Sequence, residues 1–581
     1  MLRWSDTMYS FRELVKASKK EVEGKEYRVA VLGNCATQYF SQTIQGCCRL
    51  RGINCRIYDT DYNQIDAQLL DPASEVYSFH PETIILWIAT EKMYEEFLDL
   101  SPEDRVGFAD YYMDRLQQYW QLINTHTECK ILQPNFTEID DKALGNYSCR
   151  VENSFIYQIR KLNFLLGERM HLGKNVYPVD FLSIQVQYGT EHFFDPALYY
   201  NAKMPVALNM LPYLANAVTD CLAALLGKVK KCIVLDLDNT LWGGVIGDDG
   251  LGGIEIGELG RGHVFTVFQK WLKQLKDCGI LLAVCSKNTE EIAKEPFEKH
   301  DEMVLRLSDI AIFVANWEDK ATNIRLIQET LNIGMDSMVF VDDNPFERNL
   351  VRQMIPEITV PELPEDPAEY LSFLQQCNYF ETVSYMGNSK DRTRQYQEEY
   401  QRRKSANTFT SIDAYLESLD MFGEAKPFEP EKYTRIAQLS QRSNQFNLRT
   451  VRYTEDDIER IADSPEYITL YFTLKDRFGD YGLVSAVILK KETEQEAFID
   501  TWFMSCRVLK RGMEDFIVNS MVRAAGEQGI RILHGEYIPT PKNKMVQDIY
   551  TEKGFSKVGE NQFRLELEDY KYKKTYIGEE K

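Results

Sequence analysis

Cys232-Ile-Val-Leu-Asp236-Leu-Asp238-Asn239-Thr240-Leu-Trp242 decides how the middle of this 581-residue chain folds. An apolar run that ends in two carboxylates two positions apart reads as a buried strand carrying acids to the edge of a sheet. Working outward, Phe265 to Asp277 has helical spacing, with Phe268, Trp271, Leu272 and Leu275 on one face and Gly279 as C-cap. Strand Ile280 to Cys285, helix Ala321 to Leu331 and strand Ser337 to Val341 follow. This alternation predicts a doubly wound α/β sheet, whose sites form at the carboxyl ends of the strands.

The residues that fall at those ends have a common chemistry. Asp236 follows the first strand as a nucleophile, and Asp238 is placed to protonate a leaving oxygen and then activate water. Ser286 follows the second strand, Lys320 opens a helix, and Asp342-Asp343 follow the last strand. A phosphoryl group and Asp236 are both anionic, so their approach needs a cation. Mg²⁺ held by Asp236 and Asp342, with the backbone carbonyl of Asp238, would supply it. Ser286 and Lys320 would grip the non-bridging oxygens.

The ordered set DxDxT, Ser, Lys, DD resembles the phosphatase branch of the haloacid dehalogenase superfamily. The gaps from Asp238 to Ser286 and from Ser286 to Lys320 leave no room for a large cap domain, and Gly243 to Gly253 fits a small β-hairpin flap. Lys231 to Gly250, Cys285-Ser-Lys-Asn288, Asn316-Trp317 with Lys320, and Phe340 to Glu347 narrow the resemblance to the FkbH-like proteins. That resemblance implies handling of an acyl phosphate. A glyceryl group is taken from 1,3-bisphosphoglycerate, dephosphorylated, and passed as a thioester to an acyl carrier protein. It also implies that Asn239, Thr240, Lys287, Asn288 and Asp343 line the substrate.

Flanking blocks complete a three-domain α/β expectation: residues 1–226, 227–385, a charged helical linker 386–430, and 431–581. In the first block Val29 to Gln38 reads as strand, turn and helix start, and a thiol at Cys35 would gain acidity from a helix N-terminus. The block resembles the SGNH-hydrolase fold, but Gly33-Asn34-Cys35 replaces the Gly-Asp-Ser turn of active members, which implies a degenerate site. In the last block, Trp502 to Glu514 and Ile549 to Phe555 resemble the GNAT acyltransferase fold. There the resemblance places Arg507, Lys510 and Gly512 on the phosphate-binding turn and Tyr550 as general acid. Cys506, beside Arg507, Lys510 and Arg511, is a candidate for carrying an acyl thioester between the phosphatase-like site and a carrier arm.

Composition bounds the partners. With 67 Lys+Arg against 89 Asp+Glu the net charge is −22, which disfavours nucleic acid and anionic membranes. The 12 cysteines include no CxxC pair, and no apolar run approaches a membrane span, so the expectation is a reduced, cytoplasmic protein. Three functions fit: an Mg²⁺-dependent phosphoryl-transfer enzyme coupled to acyl loading, a stand-alone sugar- or glyceryl-phosphate phosphatase with its flanks as caps, and a non-catalytic assembly scaffold.

Overall fold

The computed structural model describes residues 9–172, 175–383, 412–477 and 479–579, and the chain forms two compact units, residues 1–224 and 225–581. Most of the charged stretch 386–430 expected as a linker lies outside the described residues. The expected multi-domain α/β class is what the structure has.

The first unit is built on strands β1 (Tyr27–Gly33), β2 (Cys55–Asp59), β3 (Thr83–Trp87), β4 (Lys130–Pro134) and β5 (Val176–Val179). They form an all-parallel sheet of order β2-β1-β3-β4-β5. β1 and β3 are buried along nearly their whole length, as parallel strands covered by helices on both faces must be. Helix Phe108–His126 and helix Phe155–Arg169 cover one face, packing Tyr112, Leu116, Trp120, Ile159 and Leu162 against Leu32, Ile84 and Leu86.

The second unit holds two sheets. Strands β6 (Cys232–Leu235), β7 (Leu281–Ser286), β8 (Ile310–Ala315) and β9 (Met338–Val341) pair in parallel in the order β8-β7-β6-β9. Apolar cores lie on both faces of this sheet. The predicted elements recur within a few residues of their expected bounds; the helix expected from Phe265 starts at Gly260 and runs to Asp277. The predicted hairpin flap takes another form. Gly243 and Glu255 exchange a single antiparallel pair of backbone bonds, 3.0 and 2.8 Å, and the loop between them holds a helical turn, Ile246–Asp249.

The remaining strands are β10 (Met421–Lys426), β11 (Tyr467–Asp476), β12 (Gly479–Lys491), β13 (Glu496–Met504), β14 (Ile532–Glu536), β15 (Ser556–Lys557), β16 (Gln562–Glu566) and β17 (Ile577–Glu579). They make a mixed sheet of order β15-β16-β14-β13-β12-β11-β10-β17. Helix Met513–Glu527 packs on one face, and helices Pro430–Arg442 and Glu455–Asp463 on the other. The highly charged segment after Glu566 supplies the edge strand of this sheet. Ile577 is buried and pairs with Met421 at the edge. Burying an isoleucine contributes about 2 kcal/mol, enough to hold a short edge strand despite its polar neighbours. Among the described residues no helix is long and apolar enough to cross a membrane.

Candidate active site at the carboxyl edge of the central sheet

β6, β7 and β9 end side by side, and each delivers part of one cluster. Asp236 leaves β6 with its amide bonded to Val341 O of β9 at 3.0 Å. Lys320, the first residue of helix Lys320–Leu331, is buried. Its ammonium donates to Asp236 Oδ1 at 2.9 Å and to Asp342 Oδ2 at 2.5 Å. Carboxylate oxygens of Asp236, Asp342 and Asp343 lie within 4.8 Å of one another. Ser286, at the end of β7, is buried.

The electrostatics are unbalanced, with three carboxylates facing one lysine. Burial and the charge of Asp236 push the Asp342 carboxyl up to about 7, and the same two causes push Asp343 to about 6. Burial works to lower the Lys320 ammonium, but Asp236 and Asp342 outweigh it and hold it raised. Hard oxygen donors with an excess of negative charge are what a small divalent cation requires. Asp236, Asp342 and Asp343 therefore fit such an ion. Asp343, expected to touch substrate, stands among the candidate ligands.

Asp238 lies beside this cluster, close enough to feel the charge of Asp236. Its Oδ1 accepts from Trp242 Nε1 at 3.0 Å and Ile246 N at 2.9 Å, and its Oδ2 accepts from Asn288 Nδ2 at 2.8 Å. Burial raises its carboxyl above the usual range. Asn288 thus holds Asp238 in position. Lys287, also expected to meet substrate, pairs instead with Glu347 Oε1 at 2.7 Å. Asn239 turns the chain after Asp238 with φ 53°, a left-handed conformation that asparagine tolerates, and its side chain accepts from Gly244 N at 3.0 Å. Thr240, fully buried, accepts from Asp343 N at 3.2 Å, so it fixes the loop after β9.

Two contributors were missed from sequence. Trp242 was quoted without a role, yet it stands four residues after Asp238 and closes a one-turn hydrogen bond to it. Arg348 is buried and donates to Asp342 O at 2.9 Å, to Asp343 O at 2.7 Å, and to Glu362 Oε1 at 2.6 Å. Nothing local in the sequence marks it, because two of its acceptors are main-chain carbonyls and the third, Glu362, lies well along the chain.

The other sequence candidates do not join this cluster. Cys506 opens the turn after β13, and its carbonyl accepts from Asn332 Nδ2 at 2.8 Å. Asn332 caps the far end of the helix that Lys320 begins. That helix has 12 residues, about 18 Å at 1.5 Å each, so Cys506 sits near the amino edge of the central sheet, away from Asp236. A direct relay from the Asp236 cluster to Cys506 is ruled out by that separation.

The expected phosphate-binding turn is also occupied. Lys510 has φ 62° and donates its amide to Glu514 Oε1 at 3.1 Å, and Gly512, at φ 78°, is the N-cap of helix Met513–Glu527. Glu514 and Asp515 place two carboxylates in that helix's first turn, where the dipole would otherwise favour an anionic ligand. Arg507 donates to Ser505 Oγ at 3.2 Å. Buried Arg511 pairs with Asp476 at 3.4 Å and also donates to the Tyr481 hydroxyl. Tyr550 is fully buried against Trp502, Phe555 and Phe563, and burial raises its hydroxyl above the ordinary range. A phenol so enclosed meets no substrate.

The gap beside it is filled as well. β13 and β14 pair only over Glu496–Phe498 and Ile532–His534. Beyond that, Phe446 and Leu448 take the open bonds: Met504 N to Phe446 O at 3.1 Å, Leu448 N to Trp502 O at 3.3 Å, and Ile538 N to Leu448 O at 2.8 Å.

In the first unit, Cys35 follows β1 and is buried. Desolvation, with Glu91 and Asp59 adding to it, raises its thiol well above the ordinary range. This corrects the expectation of an acidified thiol. Helix Gln38–Leu50 begins three residues later, and burial outweighs its dipole.

The model of the FkbH N-terminal domain matches residues 28–223. The N-terminal part of protein BF1531 from Bacteroides fragilis, described as containing a phosphatase domain complexed with Mg, is 45% identical. The match covers 65% of this chain and 100% of that one, with TM-score 0.62. The chain is thus an α/β protein with a central haloacid dehalogenase-type domain. It belongs to the FkbH-like family. Acetyltransferase structures match about a quarter of it. An example is the ribosomal-protein-S18-alanine N-acetyltransferase from Escherichia coli, 12% identical over 25% of this chain and 94% of that one, TM-score 0.20. Ard1 from Thermoplasma volcanium is another, 16% identical over 24% and 94%, TM-score 0.20. Likeness at that level carries no argument. No curated protein matches the chain.

Proposed function

We propose that the chain is an Mg²⁺-dependent phosphatase of a small phosphorylated molecule, with Asp236 as nucleophile. The observation that carries this reading is the buried cluster in which Lys320 bridges Asp236 and Asp342 while Asp343 stands alongside. Such a concentration of charge costs stability, and a scaffold has no use for it. The Bacteroides fragilis relative, whose phosphatase domain is complexed with Mg, supports the same reading.

In this mechanism an Asp236 carboxylate oxygen attacks phosphorus, and the bond from phosphorus to the leaving oxygen breaks. Asp238, steered by Trp242, Ile246 N and Asn288, gives its proton to that oxygen. It then takes a proton from the water that hydrolyses the phosphoaspartate. Lys320 and Ser286 neutralise and orient the phosphoryl oxygens. Mg²⁺, held by Asp236, Asp342, the Asp238 carbonyl and Asp343, would supply further charge stabilisation.

The finer reading is that the substrate is a glyceryl-type acyl phosphate, such as 1,3-bisphosphoglycerate, whose acyl group goes on to an acyl carrier protein. The family supports it. It also requires a thiol to be loaded independently of Asp236, since Cys506 lies at the other edge of the sheet. Incubation with 1,3-bisphosphoglycerate and Mg²⁺, followed by intact-protein mass spectrometry and phosphate assay, separates the readings. Phosphate release with no adduct leaves the phosphatase alone. An adduct lost in Cys506→Ala supports loading at that thiol. No phosphate release from any small organic phosphate would overturn the primary reading.

A further inference from the structure

A cleft of about 280 Å³ opens at the amino edge of the central sheet, within the second unit. Lys231, which precedes β6, and Asn332 to Gly334 form one wall; helix Pro430–Arg442, Ser443 to Phe446 and Met504 to Arg507 form the other. Among the described residues five cationic side chains line it, Lys231, Arg435, Arg442, Arg507 and Lys542, and no Asp or Glu does. In a chain of net charge −22 that is a strong local inversion. Several of the cations are held in place by hydrogen bonds. Lys231 donates to Arg442 O, Arg442 to Gly279 O at 3.5 Å, and Arg507 to Ser505 Oγ at 3.2 Å. Lys542, at the rim, pairs with Asp336. Lys231 and Arg507 are nearly buried, where water screens little. Leu439, Phe446 and Met504 add an apolar surface, and the partly exposed Cys506 lies among them.

We infer that this cleft binds a small organic phosphate, with the phosphate on the arginines and the organic part toward Met504, Phe446 and Cys506. Its size suits a ligand at the small end of the usual range. It is not an entrance to the proposed phosphatase site. Lys231 and Asp236 are separated by the length of β6, about 16 Å at 3.3 Å per residue. The inference therefore stands or falls apart from the phosphatase reading.

Cys506 reports on the cleft directly. The full chain, free of Mg²⁺, is alkylated with iodoacetate or with neutral iodoacetamide, and each cysteine is followed by peptide mass spectrometry. Exposed Cys149 and Cys278 serve as references. A cationic cleft concentrates anions, so the iodoacetate-to-iodoacetamide rate ratio at Cys506 is expected to exceed that of the references about tenfold. Inorganic phosphate should suppress Cys506 labelling alone, and glycerol 3-phosphate should do so at lower concentration. Arg435→Gln should abolish most of the excess, and the same protection should persist in Asp236→Asn. Equal ratios at all three cysteines, or labelling that neither phosphate slows, would overturn the inference. So would protection by inorganic phosphate that glycerol 3-phosphate does not improve, since the organic part would then have no seat. Should Arg435→Gln fail to fold, wild-type protection alone decides.

Discussion

Two strand-end turns, one in each unit, invite comparison. β1 ends in Gly33-Asn34-Cys35 and β6 ends at Asp236, and each puts a nucleophile at the carboxyl edge of a parallel sheet. Their surroundings differ in one respect. Asp236 faces an ammonium at 2.9 Å, whereas Cys35 feels the carboxylates of Glu91 and Asp59. At Cys35 those like charges add to the burial penalty on a thiolate, whereas Asp236 is ion-paired, so the same topology gives the two edges opposite electrostatics.

The largest expected effect tests that contrast outright. Asp236→Asn should lower Mg²⁺-dependent phosphate release from a small organic phosphate on the order of a thousandfold or more. Cys35→Ala should leave it within about twofold, and steady-state kinetics on both variants would break the comparison if the two losses were alike.

Next in size is the countercharge itself. Lys320→Met leaves Asp236 and Asp342 opposed in the interior, and breaking a buried pair on one side costs about 3–5 kcal/mol. Urea unfolding without divalent ions should show that loss in the second unit, and Mg²⁺ should restore more stability to the variant than it adds to wild type.

In the first unit, burial pushes Glu91 up to about 7, from 4.5 when the chain is unfolded. The folded state therefore holds the extra proton, and stability is greatest below about 4.5 and falls as pH rises through 7. The 2.5-unit difference corresponds to about 3 kcal/mol. Hydrogen exchange in peptides of β1 and β3 should quicken from pH 5 to 8 beyond the intrinsic rate increase, and Glu91→Gln should remove that excess. Equal pH dependence in the variant would mean that another group sets it.

The smallest effect concerns the last sheet. Tyr550→Phe deletes a buried hydroxyl whose neighbours are largely aromatic, so stability should change by no more than about 1 kcal/mol. A general-acid role would instead show as loss of any acyl-transfer activity in that variant, with folding intact.

Much of the central domain was legible because its signals are local. Apolar runs ending in Asp, Ser or Lys mark strand ends and a helix start within a residue or two, and the resulting cluster follows from parallel topology. Lys287 and Asn288 misled for the opposite reason. They are polar residues beside the site in sequence, but their partners, Glu347 and Asp238, are distant in the chain. Arg348 was invisible because two of its acceptors are carbonyl groups, which every residue has, and its one acidic partner, Glu362, stands in another segment. In the charged segment after Glu566 the many Lys and Glu residues hide Ile577, the buried residue that seats the edge strand.

What the sequence determined by itself was the parallel α/β pattern of the central block and the residues at its reactive edge. Hydrophobic periodicity sets strand and helix, and the carboxyl ends of parallel strands converge by geometry alone. Tertiary structure decided everything that depends on burial and on partners remote in the chain. It raised the Cys35 thiol and the Tyr550 phenol by desolvation and filled the gap between β13 and β14 with Phe446–Leu448. It also carried Cys506 to the edge of the sheet opposite Asp236, among cations drawn from across the second unit. A side chain's type is written in the sequence, but its charge state depends on what the fold packs around it.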